Sequence, residues 1–283
     1  MKTTTENAKF TIYLEGRIDG INAPDVEKEL LELAHIAFVN GIPSVIAYDT
    51  VKCGDSLGVV FEMLKSDTLG HAMHKEPERL EEYVDKHVAL AKTLHSTHVP
   101  AGSFERIQDV YHRRTDNLGE WCSEEEIRLL HSIIDDIPET DTVTHNDLHP
   151  GNIMIQDGEL LLIDMPEVTM GPPVCDMIAI YRGMISPLPE NARKRRERSI
   201  GMPAEESLRA GNMFFEGYTG ITDPEELKAY YEKLELLLSL NLSILPGSGT
   251  EAIVEQAPFI INHFLRETLI PNEQTIRTLF KTL

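Results

Sequence analysis

The hydrophobic period changes once along the chain, and that change bounds what the chain can fold into. Up to Leu64 short β-type runs surround a single helical segment. Phe10 to Leu14 is apolar and β-branched, and Asn22-Ala23-Pro24-Asp25 supplies the cap, proline and early acid of a helix reaching about Val39. Gly41-Ile42-Pro43 ends that helix. Ser44 to Thr50 and Leu57 to Met63 then read as strands on either side of the turn-rich Cys53-Gly54-Asp55-Ser56. Beyond Leu64 the apolar residues recur at helical spacing. Leu80, Tyr83, Val84, His87, Val88, Ala91 and Leu94 predict a helix over 78–96. Ser123 with Glu126 forms a capping box for a helix to about Ile137, and Asp223-Pro224-Glu225 starts another that runs to about Leu240. One stretch breaks the texture: Ile153 to Ile155 and Leu160 to Ile163 flank Asp157-Gly158, a hairpin turn signal. The pattern predicts an α+β fold, with a small strand–helix–strand–strand unit at 1–64 and a large helical unit at 65–283 that carries one β-ribbon.

Composition narrows the function classes. The 283 residues, 41% of them hydrophobic, are enough for a substantial core. A net charge of −21 excludes a general nucleic-acid binder, because a polyanion is repelled over most of such a surface. The same field favours cations and metal-bound ligands, although an acidic surface also serves solubility alone. Three scattered cysteines, Cys53, Cys122 and Cys175, lack the pairing of a zinc or redox site and suit a reducing compartment. The first seven residues are polar, and the longest uncharged apolar stretch, Leu236 to Pro246, is well short of the ~20 residues of a membrane span. The expectation is a soluble cytoplasmic protein with no membrane or nucleic-acid partner.

The chemistry concentrates in Thr144-His145-Asn146-Asp147-Leu148-His149-Pro150-Gly151-Asn152 and, after the ribbon, Leu162-Ile163-Asp164. Magnesium prefers hard oxygen donors, and Asn152 and Asp164 offer a carbonyl and a carboxylate at the two ends of a ribbon short enough to join them. Asp147, five residues before Asn152, is placed to accept or orient the proton of an attacking hydroxyl. Asp and Asn also favour turns for purely local reasons, but the spacing and the flanking apolar runs favour metal-assisted phosphoryl transfer. His145 reads as a loop brace rather than a ligand, and His149 is undecided between the two. His95 and His98 read as an ordinary helix end, and Arg193-Lys194-Arg195-Arg196-Glu197-Arg198 as a solvated face rather than a recruiter of phosphate-bearing partners.

His145-x-Asp147-x-x-x-x-Asn152 with Asp164 twelve positions later resembles the catalytic segment of the aminoglycoside phosphotransferase and choline kinase family, with Asn146 in place of the usual glycine. The resemblance implies a protein-kinase-like two-lobe fold, ATP and Mg²⁺ as cofactors, Asp147 as the catalytic residue, and Asn152 and Asp164 as metal ligands. It makes His145 and Asp176 structural supports of the catalytic loop. It also matches Glu29 to the family's helix glutamate, fourteen residues before Pro43, and Phe61, Glu62, Met63 and Leu64 to the hinge that holds adenine. For Glu29 a plain solvent-facing role stays open. The implied substrate is a small alcohol of the choline, sugar, homoserine or aminoglycoside type, with the acidic composition favouring a cationic one. The family's glycine-rich loop and phosphate-anchoring lysine have no clear counterpart, the only basic candidates being Lys9 and Arg17, and Met165-Pro166-Glu167 departs from the family after Asp164. Two further readings follow: a non-catalytic pseudokinase that senses a ligand, or a second copy of the chain completing the small lobe. Residues 10–24 also resemble the opening strand and turn of STAS domains, a shape shared by any strand–turn–helix.

Overall fold

The computed structural model describes residues 2–3, 10–13, 23–53, 56–65, 67–187 and 190–283. Strands β1 (Lys2–Thr3), β2 (Phe10–Tyr13), β3 (Ala47–Cys53) and β4 (Ser56–Glu62) form one antiparallel sheet in the order β1-β2-β4-β3. Helix α1 (Ala23–Val39) lies between β2 and β3 in the chain and packs on β3 and β4. From β2 to β4 the order is strand–helix–strand–strand; β1 is a further strand that the sequence pattern does not mark, and β3 begins three residues later than that pattern suggests. Lys9 and Arg17 lie outside the described residues, as does most of the STAS-like segment.

Helices account for most of the remainder: α2 (Leu69–Lys75), α3 (Leu80–His95), α4 (Ile107–Asp116) and α5 (Glu124–Ile134) precede the site. The Ser123 capping box forms as expected, each partner satisfying a backbone N–H of the other. Strand β5 (Val143–Thr144) then leads into the catalytic stretch. The ribbon is β6 (Ile153–Gln156) and β7 (Glu159–Leu162), turning at Asp157 (φ +52°) and Gly158 (φ +86°), two left-handed residues that suit the tight hairpin. After β8 (Thr169–Met170), which pairs with β5, come α6 (Val174–Ile180), α7 (Glu190–Ile200), α8 (Ala204–Thr219) and α9 (Pro224–Ile244). Asp223 caps α9 through the amides of Glu225 and Glu226. Short helices α10 (Glu251–Val254) and α11 (Ala257–Ile260), a π-helical stretch Ile261–Leu269 and α12 (Glu273–Thr282) finish the chain. Among the described residues no helix is long and apolar enough to cross a membrane.

The ribbon joins the sheet unit to the helical core. Leu162 N–H donates to Pro43 O (2.7 Å), Val45 N–H donates to Leu162 O (3.2 Å), and on the other strand Ile155 N–H donates to Asp67 O (3.1 Å). Ile153 and Leu162, both fully buried, drive the ribbon's inner face into the same core as α3 and α6. The segment after β4 and the two ends of the ribbon are therefore fixed relative to one another.

Candidate active site

Asp176, in the first turn of α6, is fully buried and organises the loop that follows β5. Its two oxygens accept the backbone N–H groups of His145 (2.9 Å) and Asn146 (2.6 Å), and His95 Nε2 donates to Oδ2 (2.9 Å). The Tyr218 hydroxyl in turn donates to His95 Nδ1 (2.7 Å). Charge-assisted bonds of this kind contribute roughly 1.5–3 kcal/mol each, and a buried carboxylate persists only where it is so satisfied. These contacts tie Asp176 to the loop that follows β5 and to the end of α3. His95 is at a helix end, as expected, but it is buried and bonded on both ring nitrogens, a role the local sequence does not disclose.

Asn146 takes φ +61°, the left-handed region where the family's usual glycine is at ease and where Asn is tolerated best among other residues. Its Nδ2 donates to Glu167 O (2.7 Å) and Thr169 Oγ1 (2.9 Å), so the replacement adds two links to the segment after Asp164. His145 donates from Nε2 to Ile163 O (3.0 Å), next to Asp164 in the chain, while its buried Nδ1 has no partner among the described residues.

Asp147 is half-buried at the tip of the loop. Asn152 Nδ2 donates both to its backbone oxygen (3.1 Å) and to Oδ2 (3.0 Å), and Arg182 Nη2 approaches Oδ1 (3.3 Å). His149 accepts the Gly151 N–H at Nδ1 (3.0 Å), which leaves the proton on Nε2, 3.5 Å from Asp147 Oδ2. Burial acts to raise the Asp147 pKa, but the hydrogen-bonding contact with His149 and the nearby Arg182 charge outweigh it and hold the carboxyl well below the usual range. Asp147 is therefore fully ionised at neutral pH.

The amide nitrogen of Asn152 is committed to Asp147, so its carbonyl oxygen is the atom left for a cation. Ile163 N–H donates to the Asn152 backbone oxygen (3.0 Å), which brings Asp164 to the same end of the ribbon. Asp164 has φ +63°, a left-handed conformation that turns the chain sharply after β7. The residue reaches solvent, yet surrounding protein atoms strip part of its hydration; this desolvation, joined by the charges of Asp147 and Glu167, pushes its carboxyl above the usual range. An oxygen donor set with excess negative charge fits a hard divalent ion. Among the described residues no three His, Cys, Asp or Glu side chains form a complete metal-binding group. Mg²⁺ needs none, since water and substrate phosphates ordinarily fill most of its shell.

At the end of β4, Glu62 is occupied by Ile46, just before β3: its N–H donates to Ile46 O (2.9 Å), and its Oε1 accepts the Ile46 N–H (2.9 Å). Phe61 is paired within the sheet, whereas the backbone groups of Met63 and Leu64 make no hydrogen bond among the described residues. Glu29 lies on α1, but its side chain is outside the described residues. A separate cavity of about 570 Å³ opens between α1, Phe104, Arg106 and the Pro166–Met170 segment, and none of the candidate catalytic residues lines it.

Sequence reasoning missed Arg182. It lies in a π-helical turn, Tyr181–Ile185, that widens the end of α6 toward the loop. A usable signal was there: Asp176 and Arg182 are the only charged residues in the apolar run 174–185, and isolated charges in such a run are usually paired or functional.

The model of the phosphotransferase enzyme family (APH) matches residues 17–210. Among solved structures, an aminoglycoside-3'-phosphotransferase of type VIII is similar at 19% identity, over 80% of this chain and 84% of that chain, with a TM-score of 0.50. A choline/ethanolamine kinase family protein from Mesorhizobium loti is 12% identical over 100% of this chain and 93% of that one, with a TM-score of 0.49. The aminoglycoside phosphotransferase APH(3'')-Id from Streptomyces rimosus, solved with ADP and streptomycin, is 15% identical over 81% and 87%, with a TM-score of 0.49. No curated protein has significant sequence similarity to the chain. The fold is the expected kinase-like α+β arrangement with a small N-terminal lobe, and with residues 17–210 of 283 matched the chain belongs to the phosphotransferase enzyme family.

Proposed function

We propose that the protein transfers the γ-phosphoryl group of ATP to a hydroxyl of a small molecule, in a Mg²⁺-dependent reaction suited to the cytoplasm. The observation that carries this reading is the loop in which Asn152 Nδ2 bonds the Asp147 carboxylate at 3.0 Å while Asp164 lies beside the backbone partner of Asn152. Asn152 and Asp164 would hold the metal ion, which when bound neutralises charge on the transferring phosphoryl group. Met63 and Leu64, with Phe61 and Glu62 behind them, would receive adenine through backbone groups. Glu29 is assigned to the nucleotide side, and the boundary between the lobes falls near residue 64.

Asp147 orients the acceptor. A carboxylate held well below its usual pKa is a weak proton acceptor but carries full charge, so it takes a hydrogen bond from the acceptor hydroxyl and aims its oxygen at phosphorus. That suffices in a loose transition state, where little proton transfer precedes bond formation. The oxygen–phosphorus bond forms as the bond from phosphorus to the β,γ-bridging oxygen breaks, and the hydroxyl proton leaves late, to Asp147 or to water. Arg182 and His149 fix the carboxylate from its other sides.

The test is Mg²⁺-dependent ATP turnover against a panel of small alcohols. Asp147→Ala is expected to lower kcat by about 10²–10⁴, with an unchanged circular dichroism spectrum. Turnover that survives Asp147→Ala, or nucleotide binding without turnover that ignores Asp164→Ala, would overturn the reading.

A further inference from the structure

Helix α7 carries the one conspicuous basic run of an otherwise acidic chain, and its C-terminal end sits directly on the catalytic loop. A Cβ built on Gly151 would lie 1.9 Å from Ser199 O, and one on Gly70 would lie 1.7 Å from Ile200 O. Both glycines are needed for the helix to come so close. On this seated end, Ser199 Oγ reaches His149 Nε2 at 3.5 Å, and Arg196 lies about one helical turn earlier on the same face.

Arg196 is not part of a solvated face. Its Nη1 donates to Ser186 O (2.6 Å), but Nη2 is buried with no hydrogen-bond partner among the described residues. Burial, and then the nearby Arg182 charge, lower its pKa. Arg182 touches Asp147 through one nitrogen at 3.3 Å, and its other N–H groups have no partner among the described residues. Arg182 therefore borders the Asp147 carboxylate, and Arg196, bonded to Ser186 just beyond the turn that carries Arg182, stands behind it; the two guanidinium groups repel each other and leave donors unused. An unpaired buried guanidinium nitrogen is costly, and the fixed planar fork of arginine matches carboxylate and phosphate oxygens.

We propose that Arg182 and Arg196 form an anion-recognition pair, so that the acceptor is a small hydroxy compound carrying a carboxylate or phosphate group near the hydroxyl that is phosphorylated. This rests on the phosphotransferase reading and deepens it, and it turns the expectation of a cationic acceptor around. The acidity of the chain belongs to its surface at large, whereas Asp147 is bordered by Arg182 and His149, with Arg196 behind Arg182. A cationic amine brought to this position meets the Arg182 charge at short range.

Isothermal calorimetry without nucleotide tests the pair apart from catalysis, using matched ligands: glycerate and glycerol 3-phosphate against glycerol and choline, with inorganic phosphate as the bare anion. The expected result is that an anionic ligand binds at least tenfold more tightly than glycerol or choline. The glycerate and phosphate arms identify which anion is preferred. Arg196→Gln should weaken the anion at least tenfold, and Arg196→Lys should recover part of the loss. Anion binding without any ATP turnover would sink the phosphotransferase reading and leave this one standing. Choline binding more tightly than every anion, no anion binding at millimolar concentration, or a cooperatively folded Arg196→Gln protein that binds anions like the wild type would each overturn the proposal.

Discussion

Partial desolvation, joined by the charges of Asp147 and Glu167, places the Asp164 carboxyl above its usual range, while contacts with His149 and Arg182 overcome burial and place Asp147 below it. The two residues load the folded state in opposite directions. A depressed carboxyl stabilises the fold above its unfolded pKa of ~3.9, and that contribution is lost as pH falls through the folded value. A raised carboxyl costs stability at neutral pH, and the cost fades as pH falls through the folded value toward the unfolded one. Asn at position 164 is nearly isosteric, neutral and tolerant of the left-handed backbone there. Without divalent metal, Asp164→Asn is therefore expected to melt slightly above the wild type at pH 7, the gap closing toward pH 4. The effect is small because the residue reaches solvent. Added Mg²⁺ with nucleotide should raise the wild-type Tm and leave the variant unmoved, and the variant should lose phosphoryl transfer. Differential scanning calorimetry across that pH range checks the sign, and a variant that melts below the wild type at pH 7 refutes the argument.

Local rules made most elements legible before any coordinates. Capping residues marked α5 and α9, the helical period marked α3, and Asp157-Gly158 marked the ribbon, because in each case the deciding interactions lie within a few residues. What escaped depends on contacts far apart in the chain: His95 bonds Asp176 across 81 residues, Arg182 bonds Asp147 across 35, and Ser199 meets His149 across 50. The basic run reads correctly as a helix face at Arg193, Lys194, Arg195 and Arg198, all exposed, but not at Arg196, whose surroundings are set by where α7 docks. That docking is open to a direct test at the element scale. Gly151→Ala forces a Cβ against the Ser199 carbonyl, a backbone atom that cannot rotate away, so α7 must shift. Overpacking of this kind costs about 1–3 kcal/mol, and the shift should raise KM for the acceptor more than KM for ATP. Gly119→Ala, where an added Cβ meets open space, is the control. Equal stability of the two variants would mean that α7 does not sit where the structure has it.

On the scale of the whole molecule, the arginines beside the candidate site sit inside a strongly negative particle. The net charge is −21, and the exposed ion pairs that cover the surface, such as Arg79 with Glu76 and Glu82, or Arg106 with Asp109 and Glu139, balance only part of it. A MgATP complex keeps net negative charge, so at long range it is repelled, and only close to the site does a basic group such as Arg182 oppose that repulsion. The two ranges respond differently to salt. At ~0.01 M ionic strength the Debye length is about 30 Å and the whole surface acts on an approaching ligand, whereas at ~0.15 M it is about 8 Å and the distant acidic residues are screened. The short contacts at the site are screened far less. Raising NaCl across this interval at fixed free Mg²⁺ is therefore expected to increase kcat/KM for MgATP, with kcat nearly constant because the bound complex is unaffected. An enzyme steered by opposite charge shows the reverse trend, a rate that falls steeply with salt. A falling kcat/KM over this range would mean that the approach path is governed by basic groups extending well beyond the Arg182–Arg196 pair.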